Sequence, residues 1–212
     1  MDVAIRNAIK ELVLKKSGRI WSGPAKGMHI DGPNSARVFL GLYEIELNRW
    51  IRQFLGSKPN VFDIGAQYGF DALMFAGLGA RKVLTVELDP EMRPVIEANI
   101  KRNNLVDRVS LEIAKVGDGR NSSTLDELGE RHFWPQFVKM DIEGGEASAL
   151  LGGSKTLDRC DQWLIETHGL EVENACIRIL EDHGFKVDKV APRKWLPDRR
   201  PIEHNAWVIA QR

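Results

Sequence analysis

The segment VFDIGAQYGF, from Val61 to Phe70, contains an acid and two glycines whose spacing suits a ligand-binding turn. Gly65 lets the chain turn sharply and approach a ligand without a Cβ atom, and Gly69 lets the next helix begin close to the sheet. The carboxylate of Asp63 would repel a pyrophosphate, but it would attract a cation or accept a hydrogen bond from an ammonium group. The G-x-x-x-G spacing also departs from the G-x-G-x-x-G fingerprint of dinucleotide sites. The alternative is a glycine turn that serves packing only.

A second acid, Glu87, ends the strand-like run in VLTVELDP, roughly 20 residues after the glycine turn. In nucleoside-cofactor folds, an acid at this place binds the ribose hydroxyls, although a solvated acid at a strand end is the alternative. Together the two acids favour a positively charged nucleoside that lacks phosphates. S-adenosylmethionine fits, because it carries adenosine, an ammonium group and a sulfonium.

An alternating series of strands and helices would bring these residues to one edge of a sheet. Short apolar runs predict strands, and helical spacing of apolar residues predicts helices between them. This alternation predicts an α/β domain with a mostly parallel seven-stranded sheet, helices on both faces and an antiparallel last strand. The predicted strands are 61–64, 83–88, 109–116, 137–142, 162–167, 185–190 and 206–211, and the predicted helices are the first dozen residues, 42–55, 70–78, 89–103, 144–153 and 173–184.

The composition of the chain excludes several classes of protein. Its 212 residues suit one domain, which we divide into an N-terminal extension, 1–58, and a cofactor-binding core, 59–212. A formal net charge of zero argues against a nucleic-acid partner, although a local basic patch from Arg193 to Arg200 remains. The chain has neither a signal peptide nor an apolar run long enough to span a membrane, so we expect no membrane contact and a cytoplasmic location.

Four motifs resemble, in this order, those of FkbM-type S-adenosylmethionine-dependent methyltransferases: VFDIGAQYGF, VLTVELDP, STLDEL and FVKMDIEGGEASALLGG. The family's hallmark is a strand that ends in D-x-E-G-x-E, which Asp141, Glu143, Gly144 and Glu146 match. The lead-in G-L-Y-E, which ends at Glu44, is also similar to the family, and so is an E-x-H at the end of the fifth strand. Two mild departures, a Gln in the glycine turn and Leu-Asp before the proline of VLTVELDP, concern cofactor contacts.

The resemblance implies a Rossmann-like class I methyltransferase that methylates a hydroxyl of a small metabolite, sugar or natural product. It places the methionine part of the cofactor against the glycine turn, the ribose against Glu87 and the adenine after the third strand. Glu44 would close over the cofactor from the N-terminal side. The implied cofactor-binding residues are Glu44, Asp63, Gly65, Ala66, Gln67, Tyr68, Gly69, Glu87, Leu88, Ala114 and Lys115.

Transfer of a methyl group to a hydroxyl requires a group that removes the proton, because the pKa of a hydroxyl is high. Asp141, Glu166 and His168 are the candidates, since adjacent strands would bring them to one cleft, and Asp141 or His168 would accept the proton. The same set offers oxygen ligands for Mg²⁺, but two carboxylates and one imidazole are too few and too mixed to identify a metal. The alternatives are acids that cap the next helix and a structural histidine.

Two other functions remain open for the sequence. One is an NAD-dependent oxidoreductase on the same sheet, and the other is a protein that holds the cofactor without turnover. The loop 191–205, which contains His204 and four basic residues, is a candidate substrate lid or anion-binding surface, with a solvated loop as the alternative. A homodimer is expected if the N-terminal helix presents an exposed apolar face.

Overall fold

A seven-stranded sheet in the order β3-β2-β1-β4-β5-β7-β6 forms the centre of the molecule. The computed structural model of the chain describes residues 18–33, 35–193 and 205–212. β7 runs antiparallel to both of its neighbours, and the other pairs are parallel. The predicted fold class is therefore confirmed. The strands are β1 (Asn60–Ile64), β2 (Lys82–Glu87), β3 (Val109–Ile113), β4 (Phe137–Met140), β5 (Gln162–His168), β6 (Lys186–Val190) and β7 (Asn205–Gln211).

Helices cover both faces of the sheet because the strands are apolar on both. Val61 of β1 belongs to one apolar cluster and its neighbour Phe62 to the other, as the two-residue period of a strand requires. No helix of the described residues is long and apolar enough to cross a bilayer. The helices are α1 (Ala36–Phe39), α2 (Asn48–Leu55), α3 (Phe70–Gly77), α4 (Arg93–Arg102), α5 (Leu125–Arg131), α6 (Glu146–Leu151), α7 (Ser154–Arg159) and α8 (Leu170–Asp182), with 3-10 helices at Ile45–Leu47 and Pro90–Met92.

Several predicted boundaries were wrong. The helix predicted for 42–55 is interrupted, because Glu44 adopts a left-handed conformation with a φ of 43° and α2 begins only at Asn48. The third strand ends at Ile113 instead of 116, and the fourth ends at Met140 instead of 142. α5 and α7 were not predicted.

The N-terminal part of the described chain packs on the same face of the sheet as α2, α3 and α4. Arg19 and His29 form an antiparallel bridge, and Ile20 and Ile30 are buried in that apolar cluster. The predicted helix over the first dozen residues lies outside the described residues. So do most of the loop 191–205, including His204, and the basic patch beyond Arg193.

Candidate active site

A cavity of about 640 Å³ opens at the carboxyl ends of the parallel strands. The glycine turn and the end of β2 line one side of it, and the ends of β4 and β5 line the other. Ten of the residues predicted for the site lie on its wall: Gly65, Ala66, Gln67, Glu87, Leu88, Ala114, Lys115, Asp141, Glu166 and His168.

The glycine turn fixes the carboxylate of Glu87 at the cavity. The amide of Gln67 donates to Glu87 Oε2 at 2.7 Å, and the amide of Asp89 donates to Oε1 at 2.9 Å. Each carboxylate oxygen has a second lone pair, so Glu87 can still accept hydrogen bonds from the two hydroxyls of a ribose. Gly65 allows this turn to pass β4, because a Cβ atom there would lie 1.8 Å from the carbonyl oxygen of Asp141. The wall therefore suits a nucleoside.

Four of the predicted cofactor-binding residues do not line this cavity. Asp63 is fully buried and accepts a hydrogen bond from Thr85 Oγ1 at 2.7 Å, and burial raises the pKa of its carboxyl to about 7. Asp63 is thus set back from the cavity wall, and its contact with a cationic ligand stays a prediction. Glu44 lines a separate cavity of about 10 Å³, and Tyr68 and Gly69 form the end of the turn, where α3 begins.

The three predicted catalytic residues do lie together. His168 Nε2 is 3.5 Å from Asp141 Oδ1 and 3.9 Å from Glu166 Oε1. Glu166 and His168 are two residues apart on β5 and therefore face the same side, and Asp141 directly follows the adjacent strand β4. The side chains of Asn205 and Trp207 on β7 each donate to a different oxygen of Glu166, at 2.8 and 3.1 Å.

Glu146 holds the other ring nitrogen of His168. Its Oε1 lies 2.9 Å from His168 Nδ1, and the side chain is fully buried at the start of α6. The same oxygen accepts at 3.1 Å from the amide of Gly144, which precedes the helix, so Glu146 holds the turn before α6. α6 has no side-chain cap at its N-terminus, so the alternative in which Glu146 caps this helix is not met. We did not predict the contact with His168, although the last acid of the D-x-E-G-x-E block could have indicated it.

These acids set the protonation of the cluster. Burial opposes a charge on His168, but the hydrogen bond to Glu146 and the charges of Asp141 and Glu166 outweigh it, so the pKa of His168 is raised. Burial also raises the pKa of Asp141, with Lys139 acting against it. His168 is therefore a stronger base than a free histidine, and its charged form is stabilised.

Lys139 and Asp71 complete the floor of the cavity, and the sequence analysis missed both. Lys139 Nζ is 2.9 Å from Asp71 Oδ2 and 3.5 Å from Asp141 Oδ2. Burial disfavours its charge, yet the surrounding carboxylates, Asp71 first, hold its pKa well above the ordinary value. A lysine within the buried strand sequence FVKM was the signal, because a buried cation requires an acidic partner.

The donor set does not fit magnesium. One ligand atom from each of Asp141, Glu166 and His168 lies within 4.8 Å of the others. Magnesium prefers near-octahedral oxygen ligands, but only three donors meet here and one of them is an imidazole. Lys139 already supplies a positive charge beside Asp141. The arrangement suits proton transfer.

Residues 119–187 match the Methyltransferase FkbM domain family. Ribosomal protein L11 methyltransferase from Alkaliphilus metalliredigens (strain QYMF) is 34% identical over 68 residues, which are 32% of this chain and 22% of the relative. The matched part thus spans about a fifth of the length of that curated relative.

Solved methyltransferases share the fold at low sequence identity. Precorrin-6y C5,15-methyltransferase from Geobacter metallireducens GS-15 has a TM-score of 0.53 at 17% identity and covers 77% of this chain and 87% of its own. The N-terminal domain of human METTL16 in complex with SAH has a TM-score of 0.61 at 16% identity, covering 100% and 84%. The hMettl16 catalytic domain in complex with MAT2A 3'UTR hairpin 1 has a TM-score of 0.62 at 14% identity, covering 98% and 79%. The family match confirms the FkbM-type methyltransferase resemblance over residues 119–187, and the solved structures confirm a class I, Rossmann-like methyltransferase fold.

Proposed function

We propose that the protein is an S-adenosylmethionine-dependent O-methyltransferase that acts on a hydroxyl of a small metabolite, sugar or natural product. One observation carries the proposal. His168 lies on the wall of the cavity that Glu87 and the glycine turn also line, with Nδ1 against Glu146 and Nε2 beside Asp141 and Glu166. A nucleoside and a fixed base would thus share one cavity.

The cofactor-binding side consists of the glycine turn, Glu87 and the segment after β3. Glu87 would accept hydrogen bonds from the ribose hydroxyls, and Ala114 and Lys115 would contact the adenine. S-adenosylmethionine supplies an electrophilic methyl group on a sulfonium that leaves as a neutral thioether. Asp63, Glu44, Tyr68 and Gly69 would support the cofactor side without lining the cavity, Tyr68 and Gly69 as the end of the turn itself.

His168 is the proposed general base on the acceptor side. In the neutral tautomer that carries its proton on Nδ1, Nδ1–H donates to Glu146 Oε1, which leaves the lone pair of Nε2 able to accept a proton. A substrate hydroxyl would pass its proton to Nε2 as its oxygen becomes the nucleophile. Asp141 and Glu166 would stabilise the imidazolium that results, and Asp141 is the second candidate for the base.

The first experiment measures cofactor binding by the full chain. Calorimetric titration should show binding of S-adenosylhomocysteine and none of NAD. Binding of NAD alone would overturn the proposal in favour of an oxidoreductase.

The second experiment follows transfer of a labelled methyl group to a set of sugars, polyketides and hydroxyl compounds derived from amino acids. On an accepted substrate, H168A should lower kcat by about 10²-fold or more while the Kd of S-adenosylhomocysteine stays the same. H183A is the matched control, because His183 binds only the backbone at the end of α8. If the chain binds the cofactor but no acceptor is methylated, a protein that holds the cofactor without turnover explains the site better.

A further inference from the structure

Two asparagines bind the backbone of the N-terminal segment as a neighbouring strand would. Asn103 Oδ1 accepts from the amide of His29 at 2.9 Å, and its Nδ2 donates to the His29 carbonyl at 2.6 Å. Asn99 binds Asp31 in the same way: its Oδ1 accepts from the Asp31 amide at 2.8 Å, and its Nδ2 donates to the Asp31 carbonyl at 3.0 Å. Residues two apart in a strand repeat every ~6.6 Å, and residues four apart on a helix repeat every ~6 Å, so the two spacings match. The asparagines therefore fix the register of residues 29–31.

Asn99 has a further partner on the glycine turn. Its Nδ2 also donates to the carbonyl of Tyr68 at 2.9 Å, so both of its donors and its acceptor are used. Asn99 is fully buried. The second donor of Asn103 goes instead to the carbonyl of Asn99, at 2.8 Å. Of the two asparagines, Asn99 thus bonds to both the N-terminal segment and the turn.

A second contact joins the same two parts of the chain. The ring of Tyr68 lies against Gly32, where a Cβ atom would be 2.2 Å from Tyr68 Cδ1. Tyr68 directly follows Gln67, whose amide holds the carboxylate of Glu87. The N-terminal segment therefore contacts the turn that holds Glu87 at the cavity. The segment itself is set back, because neither Asn99 nor Gly32 lines the cavity.

We propose that Asn99 is a positioning residue that couples residues 29–32 to the turn 65–69, so that docking of this segment and binding of the cofactor stabilise each other. The identity of the ligand in this proposal rests on the proposed function. Reciprocity is required, because a segment that raises the affinity for a ligand must itself be stabilised by that ligand. Bound cofactor should thus protect residues 29–32, which do not touch the cavity.

The test compares N99A and G32A with the control N103A in the full chain. N103A removes the pair of bonds at His29 but leaves the bonds of Asn99 to Asp31 and Tyr68 in place. G32A places a Cβ atom against the ring of Tyr68 at an exposed residue whose φ of 109° favours glycine, so it separates the segment from the turn. N99A and G32A should raise the Kd of S-adenosylhomocysteine about tenfold, and N103A should stay within about threefold of the unmodified chain. In hydrogen exchange, the ligand should protect peptide 28–33 in the unmodified chain and in N103A, but not in N99A or G32A.

Two results would overturn the coupling. One is an unchanged Kd in both N99A and G32A, and the other is an equal rise in all three variants, which would mark a purely structural role. If the unmodified chain binds no S-adenosylhomocysteine, the proposed function fails. The coupling is then tested separately, by hydrogen exchange of the unmodified chain and its variants without ligand. In that case N99A must speed exchange of the Gly69 amide, which bonds to the carbonyl of Ala66, and N103A must leave it unchanged. Equal exchange in N99A and the unmodified chain rejects the coupling.

Discussion

The two ring nitrogens of His168 lie in different surroundings. Nδ1 contacts the buried carboxylate of Glu146, whereas Nε2 faces Asp141 and Glu166 at the cavity. The contact of Nδ1 with Glu146 determines which way the ring is turned and which nitrogen carries the proton in the neutral form. Glu146 therefore determines whether Nε2 can accept a proton from a substrate. The orientation and the pKa of His168 therefore share a cause.

The substitution E146Q tests whether Glu146 raises the pKa of His168. Glu146 raises the pKa of His168, so its loss lowers that pKa towards the ordinary value and weakens the base. We expect kcat/KM to fall about 10- to 100-fold, and the acid limb of its pH profile to move to lower pH, because His168 then loses its proton at lower pH. E181Q, at an exposed residue near the end of α8, is the control, and its pH profile should match that of the unmodified chain. An acid limb that stays in place in E146Q would show that His168 is not the titrating base.

In the proposed function, recognition of the ribose depends on Glu87. Hydrogen bonds to a charged partner contribute about 1.5–3 kcal/mol, so E87A should weaken binding of S-adenosylhomocysteine about 10- to 150-fold in a calorimetric titration. E91A, at an exposed acid of the neighbouring 3-10 helix, should bind as the unmodified chain does. A Kd for E87A within about twofold of the control would remove Glu87 from the proposed site.

At the scale of elements, β1, β4 and α3 bring ionisable side chains together beneath the cavity. Asp63 comes from β1, Lys139 from β4 and Asp71 from α3. Burial and the charge of Asp71 raise the pKa of Asp63 from 3.8 to about 7, although Lys139 opposes the shift. The folded protein therefore binds a proton at Asp63 that the unfolded chain has released at neutral pH.

Replacement of Asp63 should change how stability depends on pH. A carboxyl whose pKa is raised on folding contributes stability below its unfolded pKa, and this contribution is lost as the pH rises through the folded value of about 7. D63N does not titrate, yet its amide oxygen still accepts from Thr85. Between pH 3.8 and about 7, the free energy of unfolding should therefore fall more steeply for the unmodified chain than for D63N, by at most about 1.4 kcal/mol per pH unit.

Urea unfolding at a series of pH values measures this difference. D182N, at an exposed residue of α8, is the control and should follow the unmodified chain. Parallel curves for D63N and the unmodified chain would contradict a proton on Asp63.

Sequence periodicity predicted the elements whose apolar residues repeat, and it failed where the backbone departs from its period. The strands of the sheet and α3, α4 and α8 could be predicted in this way. The left-handed conformation of Glu44 interrupts a regular apolar pattern, and α5 carries a capping box in STLDEL but few apolar residues. At the site, Glu87 at the end of β2 and Asp141 directly after β4 were predictable. The last acid of the D-x-E-G-x-E block indicated a role for Glu146, but not its partner, because His168 is 22 residues away on a different element.

At the scale of the whole molecule, the balance of charges argues against a nucleic-acid partner. With a formal net charge of zero, the chain lacks the basic excess from which nucleic-acid binders gain much of their affinity. We predict no measurable binding to an RNA hairpin at physiological salt in fluorescence anisotropy, with S-adenosylhomocysteine binding as the positive control. A salt-dependent Kd in the micromolar range would contradict this and would favour an RNA substrate, as in the complex of the hMettl16 catalytic domain.

The domain organisation leads to a further prediction. If residues 1–212 form the single domain that we predicted, circular dichroism and tryptophan fluorescence should report one coincident unfolding transition. Two separated transitions would assign the extension, 1–58, to an independent unit. Light scattering of the same sample tests the predicted homodimer, and the cytoplasmic location remains a prediction.

The insertion of β7 between β5 and β6 has a consequence for how the protein is made. The ribosome releases β5 and β6 first, and each then has an unpaired edge where β7 will later lie. Exposed edges recruit strands from other chains, so the nascent protein is prone to aggregate until β7 emerges. β7 also carries Asn205 and Trp207, which hold Glu166. The pairing of β7 with the sheet and the formation of its contacts with Glu166 thus occur in one step, after β5 and β6 have been made.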